Sequence, residues 1–361
     1  MRVGVIGVGV ISAQYFAAFP RLPGLELTAV ADVNEARARE VAAEQGVAAR
    51  TVDELLDADD VDVVLNLTIP AAHVEVGTRA LQAGKHVFAE KPLGLSVAEA
   101  APMLALAAEQ GLRVGSAPDT VLGTGVQTAR RLLDDGVIGA PVSAAATWSA
   151  PGHERWHPAP AFYYQPGGGP LLDMGPYYVT SLVTLLGPVE RVVGAGRRTT
   201  RPRTIATGPS AGTAIPVDVD TTVTAILEHT GGAVSTLTVS FDRWATRAPL
   251  FELYGESGTI AVPDPNRFDD PVEVATADAP EWTTAPMTAG YPDAARGYGL
   301  ADMARAVETD RPHRASGELA LHVLDVMESV LASSDAHDVR TLTTTVARPE
   351  AVAEGTAPDT W

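Results

Sequence analysis

Cysteine is absent from the 361-residue chain. Disulfides, thiolate nucleophiles and cysteine-ligated zinc or iron–sulfur centres are thereby excluded. The absence fits a reducing, cytoplasmic setting. Basic charge is scarce as well. Twenty-six Lys and Arg stand against 45 Asp and Glu, a formal net charge of −19. Nucleic acids and anionic membranes are bound by clustered cations, so neither is an expected partner. A local anion site at a helix N-terminus stays open. Lysine is the scarcest cation: it occurs only at Lys85 and Lys91; chance retention accounts for Lys85, and Lys91 stands in a more telling setting. Long apolar runs are missing too. The stretch from Val3 to Phe19 is broken by Gly4, Gly7 and Gly9, carries Gln14 and has no clear small-residue cleavage site, so it reads as neither leader nor membrane span. The composition, 46% hydrophobic and 20% charged, is that of a globular protein with a real core. The length suggests two domains.

The first 120 residues alternate strand and helix. Arg2–Ile6, Leu25–Asp32, Asp62–Leu67, His86–Ala89 and Leu112–Gly115 are short, nearly continuous apolar runs. Between them lie helical stretches over 10–19, 35–45, 71–83 and 96–110. Asn34 and Ser96 stand at N-cap positions, and Gly46, Gly84 and Gly111 at C-terminal stops. Apolar strands separated by amphipathic helices imply a parallel sheet covered on both faces, hence a doubly wound α/β domain over 1–120. From 121 to 335 the character changes. Alternating runs at 142–148, 219–229, 233–241, 250–254 and 259–262 predict an α+β domain on an open, mainly antiparallel sheet. Helices are expected over 126–133, 171–186, 294–308 and 318–333. The tail, 336–361, is polar and expected to be loosely attached. An open sheet face needs a cover, which suggests a homodimer or homotetramer.

Three constellations carry chemistry. In the first, Gly7-Val8-Gly9-Val10-Ile11-Ser12 follows a strand and opens a helix. Gly7 permits the turn, Gly9 admits a pyrophosphate to the backbone, and the N–H groups near Val10 and Ile11 face it. Asp32 ends the next strand, where a carboxylate accepts from a ribose 2′-hydroxyl and repels a 2′-phosphate. This favours NAD over NADP, although Arg37 is placed to serve a phosphate. The second is Glu90-Lys91-Pro92 after the fourth strand, at the sheet end where ligands bind. An ammonium at Lys91 can polarise a carbonyl or acidify a hydroxyl. In the third, Gly167-Gly168-Gly169 precedes Asp173 and Tyr177, which are four apart on one helix face. A phenol beside a cation can act as acid and base. On spacing alone, a packed tyrosine and a capping aspartate explain this last segment better.

A fourth motif competes. His153-Glu154-Arg155-Trp156-His157 matches the H-E-x-x-H zinc-protease pattern. That chemistry needs a helix, and Pro151-Gly152 before it and Pro158 after it oppose one. No metal is expected. The better reading is a loop from the second domain that reaches over the ligand pocket, with Arg155, Trp156, His157 and Tyr163 as candidate substrate contacts.

Taken in order, the glycine turn, Asp32, Asn66-Leu67-Thr68-Ile69-Pro70 with His73, the Ala83–Pro92 segment and the Gly167–Tyr177 segment resemble the glucose–fructose oxidoreductase/inositol dehydrogenase/rhizopine catabolism (Gfo/Idh/MocA) family. The resemblance covers about residues 1–335, and Glu-Lys-Pro in its context is the most specific part. It implies a Rossmann domain and an NAD-dependent dehydrogenase acting on a secondary alcohol of a sugar, cyclitol or glycoside. Relatives that recycle NAD to cleave glycosides, or that retain the cofactor, set the alternative. It implies Lys91 beside the reacting carbon and Asp173 on substrate hydroxyls. It implies Thr68, Pro70, His73 and Glu90 at the cofactor. Tyr177 stands where most members carry histidine and some carry tyrosine. Asp119, in Ala117-Pro118-Asp119-Thr120, departs from the usual segment and is expected to face the nicotinamide or the substrate.

Overall fold

The computed structural model describes residues 1–22 and 24–357. The chain forms two compact units. One holds Met1–Gln127, Thr288–Leu324 and the described residues from Pro349 on; the other holds Thr128–Met287 and Asp325–Arg348. The chain leaves the first unit after Gln127 and returns to it twice, at Thr288 and at Pro349. Leu300, Met303 and Ala315 join Val3, Val5, Val30, Leu65 and Phe88 in one buried core. Their burial outweighs the cost of closing so long a loop, because that cost grows only slowly with length.

The first unit carries six strands, all parallel. From edge to edge they are Ala48–Arg50, Glu26–Ala31, Arg2–Ile6, Val63–Asn66, His86–Ala89 and Val114–Ser116. This is the 3-2-1-4-5-6 order of dinucleotide-binding folds, and the order reverses beside Arg2–Ile6. Val3, Val5, Val63, Val64, Leu65, Val87 and Phe88 are fully buried, which explains why the strands read as continuous apolar runs. Caps form where expected. Asn34 accepts from Arg37 N–H and Ser96 from Glu99 N–H; Gly46 and Gly111 end their helices in the left-handed region. The strand Ala48–Arg50 and the helix Val52–Leu56 went unread. Thr51 and Glu54 form a full capping box there, a visible sequence signature.

The second unit carries a nine-stranded sheet. Its order is Ala279–Thr284, Glu273–Thr276, Gly258–Ala261, Phe251–Gly255, Pro141–Ser149, Val234–Ser240, Thr222–His229, Val189–Arg197 and Arg340–Thr341. It is mostly antiparallel, but Val234–Ser240 runs parallel to Pro141–Ser149. Along Thr222–His229, Val223, Ala225 and Leu227 are buried and alternate with more exposed residues. One face is therefore covered, and the helix Pro170–Leu186 is almost wholly buried. Gly194 lets another helix sit directly on the sheet: a Cβ there would lie 2.1 Å from the Val330 carbonyl oxygen. Ser333 and Ser334 accept from Gly194 and Gly196 N–H across the same contact.

The tail is not loose. Asp325 Oδ2 accepts from the backbone N–H and hydroxyl of both Thr343 and Thr344. Arg348 donates to the Thr184 carbonyl and to Asp134. Within the first unit, Val352 is buried and its N–H donates to Gln127. Among the described residues, no helix is long and apolar enough to cross a membrane.

Buried histidines make stability pH-dependent. His313 lies against the Val114 carbonyl, and burial pulls its pKa down to about 4 despite that hydrogen bond. The unfolded ring titrates near 6.5. Below that pH the unfolded state binds a proton that the folded state refuses. Stability is therefore full above pH 6.5 and falls as pH drops toward 4, by up to about 3 kcal/mol from this group. Burial lowers His73 and His229 in the same sense. Denaturant unfolding of the wild type should show this loss, and His313→Asn should flatten it. Identical pH profiles for the two proteins contradict the assignment.

Candidate active site

In the first unit the glycine turn packs on the neighbouring strand end. Gly7 has φ +97°, and a Cβ there would lie 2.7 Å from the Leu67 carbonyl group. No other residue fits without moving backbone. Around Gly9 the opposite holds: a Cβ would meet nothing within 4 Å, so the backbone there borders open space. Val10 is 95% exposed. Ser12, in place of a third glycine, turns inward and donates its hydroxyl to the Gly9 carbonyl at 2.7 Å. Asp32 is held rigidly. Its Oδ2 accepts from Val8 N–H at 2.9 Å and its Oδ1 from Asn34 N–H at 2.8 Å. A cleft of about 710 Å³ is lined by Gly9, Val10, Ser12, Asp32, Asn34 and Arg37, among others. A dinucleotide's adenosine end fits this donor and acceptor set. Arg37 turns to Glu40 at 2.7 Å, and Asp32 would repel a 2′-phosphate, so the cleft suits NAD.

The Glu-Lys-Pro turn is braced from within. Glu90 is buried, accepting from the Tyr15 hydroxyl at 2.9 Å and from Lys91 N–H at 3.0 Å. Burial, then the Glu90 charge, pushes the Tyr15 phenol well up, so it stays a donor. His73 is buried beside the turn, with Nδ1 2.7 Å from the Pro92 carbonyl and Nε2 3.0 Å from that of Thr68. Thr68 gives its hydroxyl and N–H to Asn66, and Pro70 opens a short 3₁₀ turn. These residues shape the loop that carries Lys91, itself only partly buried. Lys85 differs: its ammonium is buried on the Ala58 and Val61 carbonyls.

Asp119 is a correction. It is fully buried, and its Oδ2 accepts from Gly297 and Gly299 N–H at 2.8 and 3.1 Å. It caps the start of the helix Tyr298–Thr309 and faces no open space for a substrate. Burial raises its pKa.

In the second unit the helix Pro170–Leu186 starts after Gly169, whose φ of +91° only glycine adopts readily. Asp173 lies in its first turn and Tyr177, buried, one turn on. His153 Nε2 lies 2.8 Å from Asp173 Oδ2. His153 belongs to a 3₁₀ turn of three residues, not to the helix a zinc-protease motif needs. Glu154 points away from it into a buried network, where it accepts from Arg203 at 3.0 Å and from the Tyr164 hydroxyl. Burial pushes the Glu154 pKa up, but these hydrogen bonds outweigh it and hold the carboxyl below its usual range.

Trp156, His157 and Tyr163 do come together. The His153 ring lies 5.2 Å from that of Trp156 and 4.4 Å from that of Tyr163; His157 lies 5.3 and 5.6 Å from the same two. Burial lowers the His157 pKa. Arg155 stacks on Trp244 instead, 4.6 Å from the ring centre. Sequence reasoning missed His153, Trp148 and Phe241 as parts of this cluster. The available sign was local density: Trp156, Phe162, Tyr163 and Tyr164 crowd a chain with only 6% aromatics. Trp156 and Phe162 are more than half exposed, unusual for rings with nothing to bind.

Comparison with known proteins agrees with this geometry. Residues 1–117 match the oxidoreductase family with an NAD-binding Rossmann fold, and 126–261 match the GFO/IDH/MocA C-terminal domain. The dTDP-3,4-didehydro-2,6-dideoxy-alpha-D-glucose 3-reductase of Streptomyces violaceoruber is 37% identical over 215 residues, 58% of this chain and 62% of that protein. The trans-1,2-dihydrobenzene-1,2-diol dehydrogenase of Bos taurus is 30% identical over 271 residues, 73% and 75% of the two chains. The crystal structure of an NAD binding oxidoreductase from Klebsiella pneumoniae superposes with a TM-score of 0.82 at 23% identity, covering 95% and 99%. The fold order, the glycine turn with Asp32 and these matches together place the chain in the GFO/IDH/MocA family of NAD-binding oxidoreductases.

Proposed function

We propose that this chain transfers hydride between NAD and a secondary hydroxyl carbon of a sugar or related polyol. The observation that carries the reading is the Asp173 carboxylate paired with His153, whose ring lies among Trp156, Tyr163 and Phe241. Carboxylates that accept from hydroxyls, with aromatic faces for the apolar side of the ring, make a polyol site. NAD supplies a nicotinamide that takes or returns the hydride. Asp32 holds the adenosine ribose, and the Gly7–Ile11 backbone receives the pyrophosphate. Asp173 orients a hydroxyl next to the reacting carbon. In oxidation the Tyr177 phenolate would take the reacting hydroxyl's proton as the hydride leaves the carbon, and in reduction the resulting phenol would return it. The Lys91 ammonium would stabilise the phenolate.

The named relatives act on a dTDP-linked sugar and on a dihydrodiol. One feature favours a nucleotide-linked substrate. Trp244 is 64% exposed, with the guanidinium groups of Arg155 and Arg201 4.6 and 5.5 Å from its ring centre. In a chain of net charge −19, this pair of cations on an aromatic face suits a base and its phosphates.

The test is near-ultraviolet absorbance with NAD and a panel of free sugars, cyclitols, glycosides and dTDP-sugars, followed by product analysis. NADH formed with one class supports the reading. A cleaved glycoside without net NADH replaces it with oxidation–elimination on a recycled cofactor. No oxidised, reduced or cleaved product with any class overturns it. The cofactor half has its own prediction. Asp32→Ala should raise the KM for NAD about tenfold, as loss of a charge-assisted hydrogen bond does. It should also move the NADP/NAD preference toward NADP. An unchanged preference removes Asp32 from the ribose.

A further inference from the structure

We propose that His153 is a positioning residue for Asp173, held in one tautomer by the indole of Trp156. The proposal rests on the reading of Asp173 as the polyol contact. Trp156 Nε1 lies 3.2 Å from His153 Nδ1. An indole N–H only donates, so Nδ1 must accept and a neutral imidazole carries its proton on Nε2. That proton points at Asp173 Oδ2, 2.8 Å away. The chain Trp156 N–H to His153, His153 N–H to Asp173 thus has one direction and no interchangeable alternative. The opposite tautomer would set two N–H groups against each other at Nδ1 and two acceptors at Nε2.

The ring is also fixed in space. Tyr163 and Phe241 lie 4.4 and 4.6 Å from it, and Trp148 at 5.9 Å closes a further side. Its backbone is pinned as well. His153 N–H donates to the Tyr164 hydroxyl, and its carbonyl accepts from Trp156 and His157 N–H. A carboxylate oriented before substrate arrives loses less entropy when it binds. A hydroxyl therefore meets Asp173 in a set direction, and that direction selects which hydroxyl geometry binds. The sequence shows His153 and Asp173 20 residues apart with nothing to link them; the 3₁₀ turn brings them together.

Two measurements on the full chain test this. The first is long-range ¹⁵N–¹H spectroscopy of the histidine side chains at neutral pH, with His153→Gln assigning the resonance. The expected result is an Nε2–H ring in the wild type, kept in Asp173→Ala, where the indole alone selects it, and a mixture of tautomers in Asp173→Ala with Trp156→Phe, which keeps a ring and deletes the donor. An Nδ1–H ring in the wild type, or the same tautomer in Asp173→Ala with and without Trp156→Phe, overturns the proposal. The second is kinetic. His153→Leu should raise the KM for the sugar roughly tenfold or more, the size of a charge-assisted hydrogen bond, with a smaller change in kcat and the affinity for NAD intact. His153→Gln, which can still donate an N–H, should recover most of that loss. Equal KM values for His153→Leu and the wild type overturn the proposal. Asp173→Asn separates the premise: if it leaves KM and kcat unchanged, the polyol reading of Asp173 fails and the proposal falls with it, even where the tautomer is as stated.

Discussion

Lys91→Ala is expected to lower kcat on the order of 10²- to 10⁴-fold, the range for removing a group that acts on a proton or charge in the transition state. Its affinity for NAD should change only a few-fold. The split follows from how the turn is built. The backbone of Glu90-Lys91-Pro92 is held by the Glu90 carboxylate, by Tyr15 and by His73. Truncating the side chain removes the charge and leaves the loop. The other lysine is the control. Lys85 donates its ammonium to two buried carbonyls, so Lys85→Ala should lower stability and leave kcat per folded molecule intact. The measurements are steady-state kinetics beside NAD titration by calorimetry, with a melting curve for each variant. Parallel losses of kcat and NAD affinity in Lys91→Ala, or a kcat loss under about tenfold, sink the catalytic role.

The two lysines also show what a sequence discloses. Their rarity drew attention to both, and the Glu90-Lys91-Pro92 setting favoured Lys91. The burial of Lys85 was not legible, because its ammonium meets carbonyls 27 and 24 positions earlier. The same limit recurs. The glycine turn, Asp32, the Asn34 and Ser96 caps and the Pro170–Leu186 helix were legible because their determinants lie within a few residues of each other. The burial of Glu90 and Asp119 was not legible. Their partners, Tyr15 and Gly297 with Gly299, lie 75 and about 180 residues away, and burial by such partners turns a candidate ligand contact into a brace. The tail was misjudged for a related reason. Polar composition suggested solvent, yet four of its hydrogen bonds converge on one oxygen of Asp325. His153 stayed hidden inside a motif that pointed to other chemistry. The decisive fact was that Glu154, its neighbour, is consumed by Arg203.

Arg203→Met should be the most destabilising single change in the second unit, at about 3–5 kcal/mol. Arg203 is among the most deeply buried side chains. Its guanidinium donates to Glu154 at 3.0 Å, to Asp242 at 2.6 Å and to the Pro151 and Phe241 carbonyls, with Tyr164 5.0 Å from its centre. The cost arises less from the lost attraction than from what remains: a buried Glu154 left with the longer ion pair to Arg201, at 3.7 Å. Lysine would not repair it, because one ammonium cannot span acceptors that the planar fork serves together. The same network fixes the turn that carries His153, so the loss should reach the polyol contact as a higher KM for the sugar in whatever fraction stays folded. Denaturant midpoints measure the first effect and kinetics at low temperature the second. Adding Glu154→Gln to Arg203→Met is the sharper experiment, since it removes the stranded charge. The double variant should recover part of the stability lost, a coupling that independent sites do not show. Strict additivity of the two changes, or a loss under about 1 kcal/mol in Arg203→Met, contradicts the role of this ion pair in holding the substrate loop.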